Sequence, residues 1–234
     1  MLGTSTIIFA LLFPATVLSQ AEVWIKLDRG AALYLSPASS EWIPVSAKQK
    51  IPAKTYVLTK PETAAVLFRE TTSYELPPSS YFFVEDVFQK SRVELVAALT
   101  RIEAEQLPVN TYEPGEENRR PLGLIYGESR EASPAEGTIV FEREREQTVT
   151  WFIAQGRHAA ALLCMKRAMT KFPALYLRQA YAEQLLWLYN RLELYGFLLE
   201  ESSRLLALQS SEAFQQTVKA WNETAKRKLV RLEN

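Results

Sequence analysis

Two rhythms of apolar and polar positions divide the chain, one of period two and one of helical period. In EVWIKL, Val23, Ile25 and Leu27 alternate with Glu22, Trp24 and Lys26, the pattern of a half-buried strand. A turn at Asp28-Arg29-Gly30 leads into AALYL, and Pro37 to Ser40 is a second turn signal. EWIPV, TYVLT, AAVLFRE and SYEL follow, then a Pro77-Pro78-Ser79-Ser80 turn and YFFVEDVF. Pro44, Pro52 and Pro61 lack an N–H, so they mark strand ends or edges. Seven short strands at this spacing predict a small antiparallel β-sandwich or barrel over residues 22–88. Trp24 and Trp42 are expected to close its core, with ligand stacking as the alternative.

The period then changes. Ser91-Arg92-Val93-Glu94 reads as a capping box, and Val93, Val96, Leu99 and Ile102 recur three apart. They predict a connecting helix within residues 89–107, ended by Pro108. Residues 108–137 hold Pro108, Pro114, Gly115, Pro121, Gly123, Gly127, Pro134 and Gly137, and are expected to form a solvated linker. Within it, LGLIYG (122–127) is an apolar island suited to a strand or a docked peptide, and Arg119-Arg120 is a candidate anion contact. From residue 138 to residue 234 only Gly156, Pro173 and Gly196 interrupt helix-forming sequence. Helices are predicted at about 139–155, 158–171, 175–190, 192–208 and 211–233. In the last, Phe214, Val218, Trp221 and Ala225 define an apolar face, and Lys226, Arg227, Lys228 and Arg231 suit the end of the helix dipole. The expected fold class is therefore α+β in two domains: a small antiparallel β-domain, then an all-α helical-hairpin domain.

Both regions resemble known families. Trp42 with Pro44, Thr59 after TYVL, Ala65-Val66-Leu67 and Pro77 to Ser79 are similar to the motifs of a FecR-type domain, a β-fold of the periplasmic side of bacterial envelopes. The resemblance spans about 60 residues. It departs from the family at Lys48-Gln49-Lys50 and Glu70-Thr71-Thr72, where glycines and an Asp-Gly hairpin are usual, and an SH3-like barrel is the neighbouring alternative. In the helical region Gly156, His158, Ala161, Ala168 and Pro173 resemble the defining positions of a tetratricopeptide repeat. Glycine suits the tight turn, the two alanines permit close helix approach, and proline stops the second helix. A second, degenerate unit follows at residues 175–208, with Asn190 in the glycine place and Tyr195 in the first alanine place. An ordinary five-helix bundle is the alternative. The repeat resemblance implies a groove lined by first helices, and so places Arg143, Glu146, Thr150, Gln184 and Trp187 toward a partner.

The N-terminal twenty residues differ from everything after them. Thr6 to Leu18 is an uncharged run of 13 residues, short of the roughly 20 that span a bilayer. Small residues follow, at Ser19 and Ala21. Residues 1–21 are therefore expected to be a signal peptide cleaved near residues 19–21, giving a periplasmic protein. An uncleaved anchor that tethers the chain to the inner membrane, or a buried first strand, is the alternative. No Lys or Arg precedes the apolar run, and no Cys follows it to take a lipid.

Charge and chemistry narrow the function. Lys plus Arg and Asp plus Glu each number 27, so no global basic excess points to nucleic acid. Cys164 is the sole cysteine and has no intrachain partner, which fits a periplasm better than an oxidising eukaryotic secretory route. His158 is the sole histidine, which excludes a His-based metal cluster. It lies six residues from Cys164 in one predicted helix, about 240° around the axis, so the two do not form a dyad. No G-x-S-x-G, Walker loop, dinucleotide fingerprint, C-x-x-C or H-E-x-x-H occurs. A carboxylate pair distant in sequence stays open. The expectation is a non-enzymatic scaffold with no catalytic residues, no metal and no small-molecule cofactor. Its partner is an envelope or periplasmic protein bound in the helical groove. The alternative is a cell-wall glycan or other ligand, peptidoglycan included, bound by the β-domain.

Overall fold

The computed structural model describes residues 22–36, 41–89, 91–104, 134–208 and 211–233. The expected signal peptide, most of the expected linker and its LGLIYG and Arg119-Arg120 elements lie outside them. The described residues form a mixed α+β structure with two antiparallel four-stranded sheets and a set of packed helices. Strands β1 (Val23–Arg29), β4 (Lys48–Ile51), β6 (Ala64–Arg69) and β7 (Thr72–Leu76) make the first sheet, in the order β4-β1-β6-β7. Strands β2 (Ala32–Leu35), β3 (Ile43–Pro44), β5 (Tyr56–Thr59) and β8 (Tyr81–Phe83) make the second, in the order β3-β2-β5-β8.

The alternation that predicts β1 also sets its register. Val23 and Ile25 are buried and face Ile51 and Leu67, while Trp24 is 36% exposed. Trp24 thus lies on the outer face under the Lys48 ammonium, not in the core, whereas Trp42 is half-buried edge-on to Tyr81. Strand β4 was hidden by its composition: KQKI has one buried residue, Ile51, and lysines of this kind protect a sheet edge. Pro44 sits on the edge strand β3, where no ladder N–H is required. YFFVEDVF is not one strand. It turns into helix α1 (Val84–Val87), because Val84, Val87 and Phe88 are buried at helical spacing and Asp86 turns inward.

Two of the expected β motifs meet in one buried knot. Thr59 Oγ1 donates to Pro77 O at 2.7 Å and accepts from Ser80 N at 2.9 Å, and Ser80 Oγ donates to Pro77 O at 2.8 Å. The buried serine is Ser80; Ser79 stands in the turn at φ 49°. Gly30 closes the β1–β2 turn at φ +79°, and a Cβ there would lie 2.7 Å from Thr63 Cα. The obstructing atom is backbone, so Gly30→Ala is expected to cost about 2–4 kcal/mol in urea denaturation. A loss under about 0.5 kcal/mol, the range of a neutral surface change, would contradict that packing.

Helix α2 (Arg92–Ala104) begins at the expected cap, with the Ser91 hydroxyl accepting Glu94 N–H at 3.1 Å. Its buried face is Leu95, Ala98, Leu99 and Ile102, while Val93 is exposed. A mixed three-and-four spacing therefore replaces the regular spacing of three, because 3.6 residues make a turn. Helix α3 (Pro134–Ala154) starts inside the stretch expected to be a linker, with Pro134 at the tolerated first position. It is followed by α4 (His158–Lys171), a 3-10 helix at Pro173–Leu177, α5 (Gln179–Arg191), α6 (Tyr195–Leu208) and α7 (Glu212–Glu233).

The turn between α3 and α4 is a Schellman motif: Gly156 has φ +69°, Gly156 N–H bonds Ile153 O at 2.9 Å, and Arg157 N–H bonds Phe152 O at 2.8 Å. The turn between α5 and α6 repeats it, with Glu193 at φ 56°, Glu193 N–H on Asn190 O and Leu194 N–H on Tyr189 O. Both ends of α6 lie 37 residues beyond the corresponding ends of α4. By that offset Glu193 occupies in its turn the place Gly156 occupies in the first, and Tyr195 opens α6 as His158 opens α4.

Buried side chains of the sheets and the helices form one cluster. Several polar links cross between them. Thr148 Oγ1 accepts Tyr81 N–H at 2.9 Å, the Arg157 guanidinium donates to Val87 O, and Arg167 donates to both Asp86 carboxylate oxygens at 2.8 and 3.2 Å. Arg167 also lies 4.1 Å over the Phe83 ring.

Candidate functional site

Helix α5 buries Tyr181, Ala182, Leu185, Leu186, Leu188 and Tyr189, which leaves Ala180, Glu183, Gln184 and Trp187 on its other side. Those four, with Ile153 of α3 and Thr217 and Trp221 of α7, line a groove of about 620 Å³. Its two tryptophans supply apolar walls, and Gln184, Glu183 and Thr217 supply separated polar contacts. Trp187 is 37% exposed and is held by His158, whose ring meets it edge-on at 5.4 Å. The groove is thus built from α3, α5 and α7, and the turn after Gly156 presents the histidine that fixes one wall.

Of the five residues placed toward a partner by sequence, Gln184 and Trp187 line this groove. Arg143, Glu146 and Thr150 are exposed on α3. They fall at i, i+3 and i+7, and Ile153 continues that face at i+10, so they stand upstream of the groove on the same side. Glu146 reaches α5 through Arg178 at 3.8 Å. Sequence reasoning missed Ile153, Ala180, Glu183 and Thr217, and assigned Trp221 to the core face of α7. Trp221 is half-buried. The available signal was Thr217 and Trp221 at i, i+4, beside the fully apolar stripe of Phe214, Val218 and Ala225.

The repeat-defining positions have structural jobs. Ala161 and Ala168 are fully buried on α4, and Phe172 N–H bonds Ala168 O where that helix ends. Pro173 opens the 3-10 helix. Desolvation, aided by the Arg191 charge, lowers the His158 pKa and so favours its neutral ring against Trp187. Cys164 is buried, its Sγ directed at Tyr81 O at 3.9 Å, and burial pushes its thiol up to about 12. A thiol in that state is a poor nucleophile.

A second recess, of about 310 Å³, lies between the β6–β7 turn, α1 and α2. Its cations are engaged: Arg101 pairs with Glu85 at 3.3 Å, and Arg69 lies over the Phe88 ring. Among the described residues there is no group of three or more His, Cys, Asp or Glu side chains that can hold a metal. Among them, too, no helix is long and apolar enough to cross a membrane. Comparison with protein-family models, with curated proteins and with solved structures gives no match.

Proposed function

We propose that this protein is an exported, non-enzymatic interaction module of a bacterial envelope. A FecR-like β-sandwich carries tetratricopeptide-like hairpins, and a partner protein seats in the groove of α3, α5 and α7. The observation that carries this reading is the groove itself: an open apolar cleft of about 620 Å³ walled by two tryptophans. Aromatic anchors of this kind dominate binding energy at protein interfaces. The repeated 37-residue hairpin and the paired Schellman turns support the repeat-like reading of the helices. The leader, read as a signal peptide, supports export.

Trp187→Ala and Gln184→Ala together are expected to lower recovery of a crosslinked envelope partner by at least about tenfold, the loss of one interface anchor. Unchanged recovery with an unchanged circular dichroism spectrum would sink the groove reading. One observation favours a second reading, wall-glycan binding by the β-region: Trp24 is exposed on the outer face of β1, beside Lys48. In that reading the full chain sediments with peptidoglycan sacculi and Trp24→Ala releases it. A chain that stays in the supernatant rules it out.

A further inference from the structure

The groove is charged differently at its two ends. Helix α6 packs against both α5 and α7 and runs back between them, so α5 and α7 point the same way. At the end where they start, both signs are present: Glu183, which accepts from Gln179 at 2.9 Å, and Glu146 stand with Arg143 and with Arg178, 3.8 Å from Glu146. At the end where they finish, it carries cations. Arg191 closes α5 and acts on His158, and Lys228 of α7 reaches over the Tyr195 ring at 5.9 Å, next to the same turn.

The α7 face that supplies Thr217 and Trp221 continues as Thr224, Lys228 and Arg231, at successive spacings of three and four. Thr224, Arg227, Lys228 and Arg231 line a recess of about 140 Å³. Glu223 of α7 pairs with Lys226 at 2.9 Å. Among the described residues Lys228 and Arg231 have no ion-pair partner, and Arg227 donates only to the Glu223 carbonyl and the Thr224 hydroxyl. Lys228 and Arg231, with Arg227 held beside them by the Thr224 hydroxyl, therefore present cations where the apolar cleft ends.

Resting on the groove reading above, we infer that the partner presents a polypeptide segment with one apolar anchor and acidic side chains to one side of it. The anchor seats between Trp187 and Trp221, and the acids seat on the Thr224–Arg231 recess. Helical rise puts Lys228 and Arg231 about 10 and 15 Å beyond Trp221. An extended segment covers that distance in about three to five residues. A segment seated the other way round takes its acids away from Lys228 and Arg231 and toward Glu183.

A random nine-residue peptide library selected on the full chain tests this. Selected peptides are expected to carry Leu, Ile or Phe with Asp or Glu about three to five positions away, on one side of it. Replacing those acids by Asn or Gln is expected to weaken binding about tenfold, the sum of three exposed ion pairs. The Arg227→Glu/Lys228→Glu/Arg231→Glu chain, on an exposed face, is expected to select Lys or Arg at the same positions and keep the anchor. Selected peptides with an anchor but no acidic preference, or acids that the reversed chain still selects, would overturn the inference and leave the groove reading standing. No selected peptide from either chain would overturn both. No selected peptide, together with sedimentation on phosphatidylglycerol vesicles that the charge reversal abolishes, would assign the recess to a membrane surface instead.

Discussion

Glu201→Ala is expected to cost about 3–5 kcal/mol of folding stability, because it strips a buried cation of its main partner. Lys166 is fully buried on α4, with its ammonium 2.7 Å from Glu201, 3.4 Å from Glu103 and 3.5 Å from the Tyr176 hydroxyl. Burial alone would lower the Lys166 pKa, but Glu201, Tyr176 and Glu103 together outweigh it and hold the value above normal. With Glu201 gone, Lys166 keeps only the Tyr176 hydroxyl at 3.5 Å and a longer contact to a partly exposed carboxylate at the end of α2. The pair is also replaceable. Lys166→Met with Glu201→Leu removes both charges and fills similar volume, so the double variant is expected to recover most of the loss. Urea denaturation of the two variants decides the matter. A single variant within about 1 kcal/mol of wild type would show that the pair contributes little, and a double variant no better than the single would show that apolar side chains cannot replace it.

Arg167→Ala is expected to cost a similar amount at neutral pH, about 3–5 kcal/mol, and less in acid. It breaks the two hydrogen bonds to Asp86 and the stack on Phe83 that tie α4 to the β-region. Desolvation pushes the Asp86 carboxyl up to about 6 against the pull of Arg167; Glu85 raises it further and Arg101 lowers it. A carboxyl whose folded value exceeds its ordinary 3.8 contributes stability in full below 3.8, and loses it as pH rises through about 6. Wild type therefore holds an ionised Asp86 at neutral pH only because Arg167 faces it. In the variant the carboxyl titrates higher still. Below about pH 5 Asp86 is protonated in both proteins, and the lost attraction no longer separates them. The stability gap is expected to be wide near pH 7.5 and to narrow toward pH 4.5. A gap that is constant or widens in acid would contradict this account of the seam.

Much of the fold was legible where local pattern and tertiary demand agree. The alternation at Val23 and Ile25 gave β1, and the Ser91 cap gave the start of α2. Gly156 announced the first hairpin turn because glycine is the cheap residue at positive φ. Its counterpart, Glu193, carried no signal, since the same backbone conformation is imposed there on a glutamate by the packing around it. The same kind of tertiary override hid β4, whose lysines show no apolar alternation, and the 3-10 helix after Pro173. The candidate site was half legible. Trp187 and Gln184 followed from the hairpin pattern, but the α7 wall required knowing that Trp221 stands at the border of the packed stripe. The charge division along the groove was not readable at all, because it arises from residues on α3, α5 and α7 that only the packing brings to one cleft.

Site-specific photo-crosslinking from the groove tests the central claim most directly. A photoreactive side chain is placed at Gln184 or Thr217 inside the groove, and at Val93 or Thr100 on the exposed side of α2. The expected result is one common partner adduct from both groove positions and none from α2, lost when Trp187→Ala is added. Adducts of the same partner from α2 but not from Gln184 or Thr217 would contradict a groove built to hold a partner.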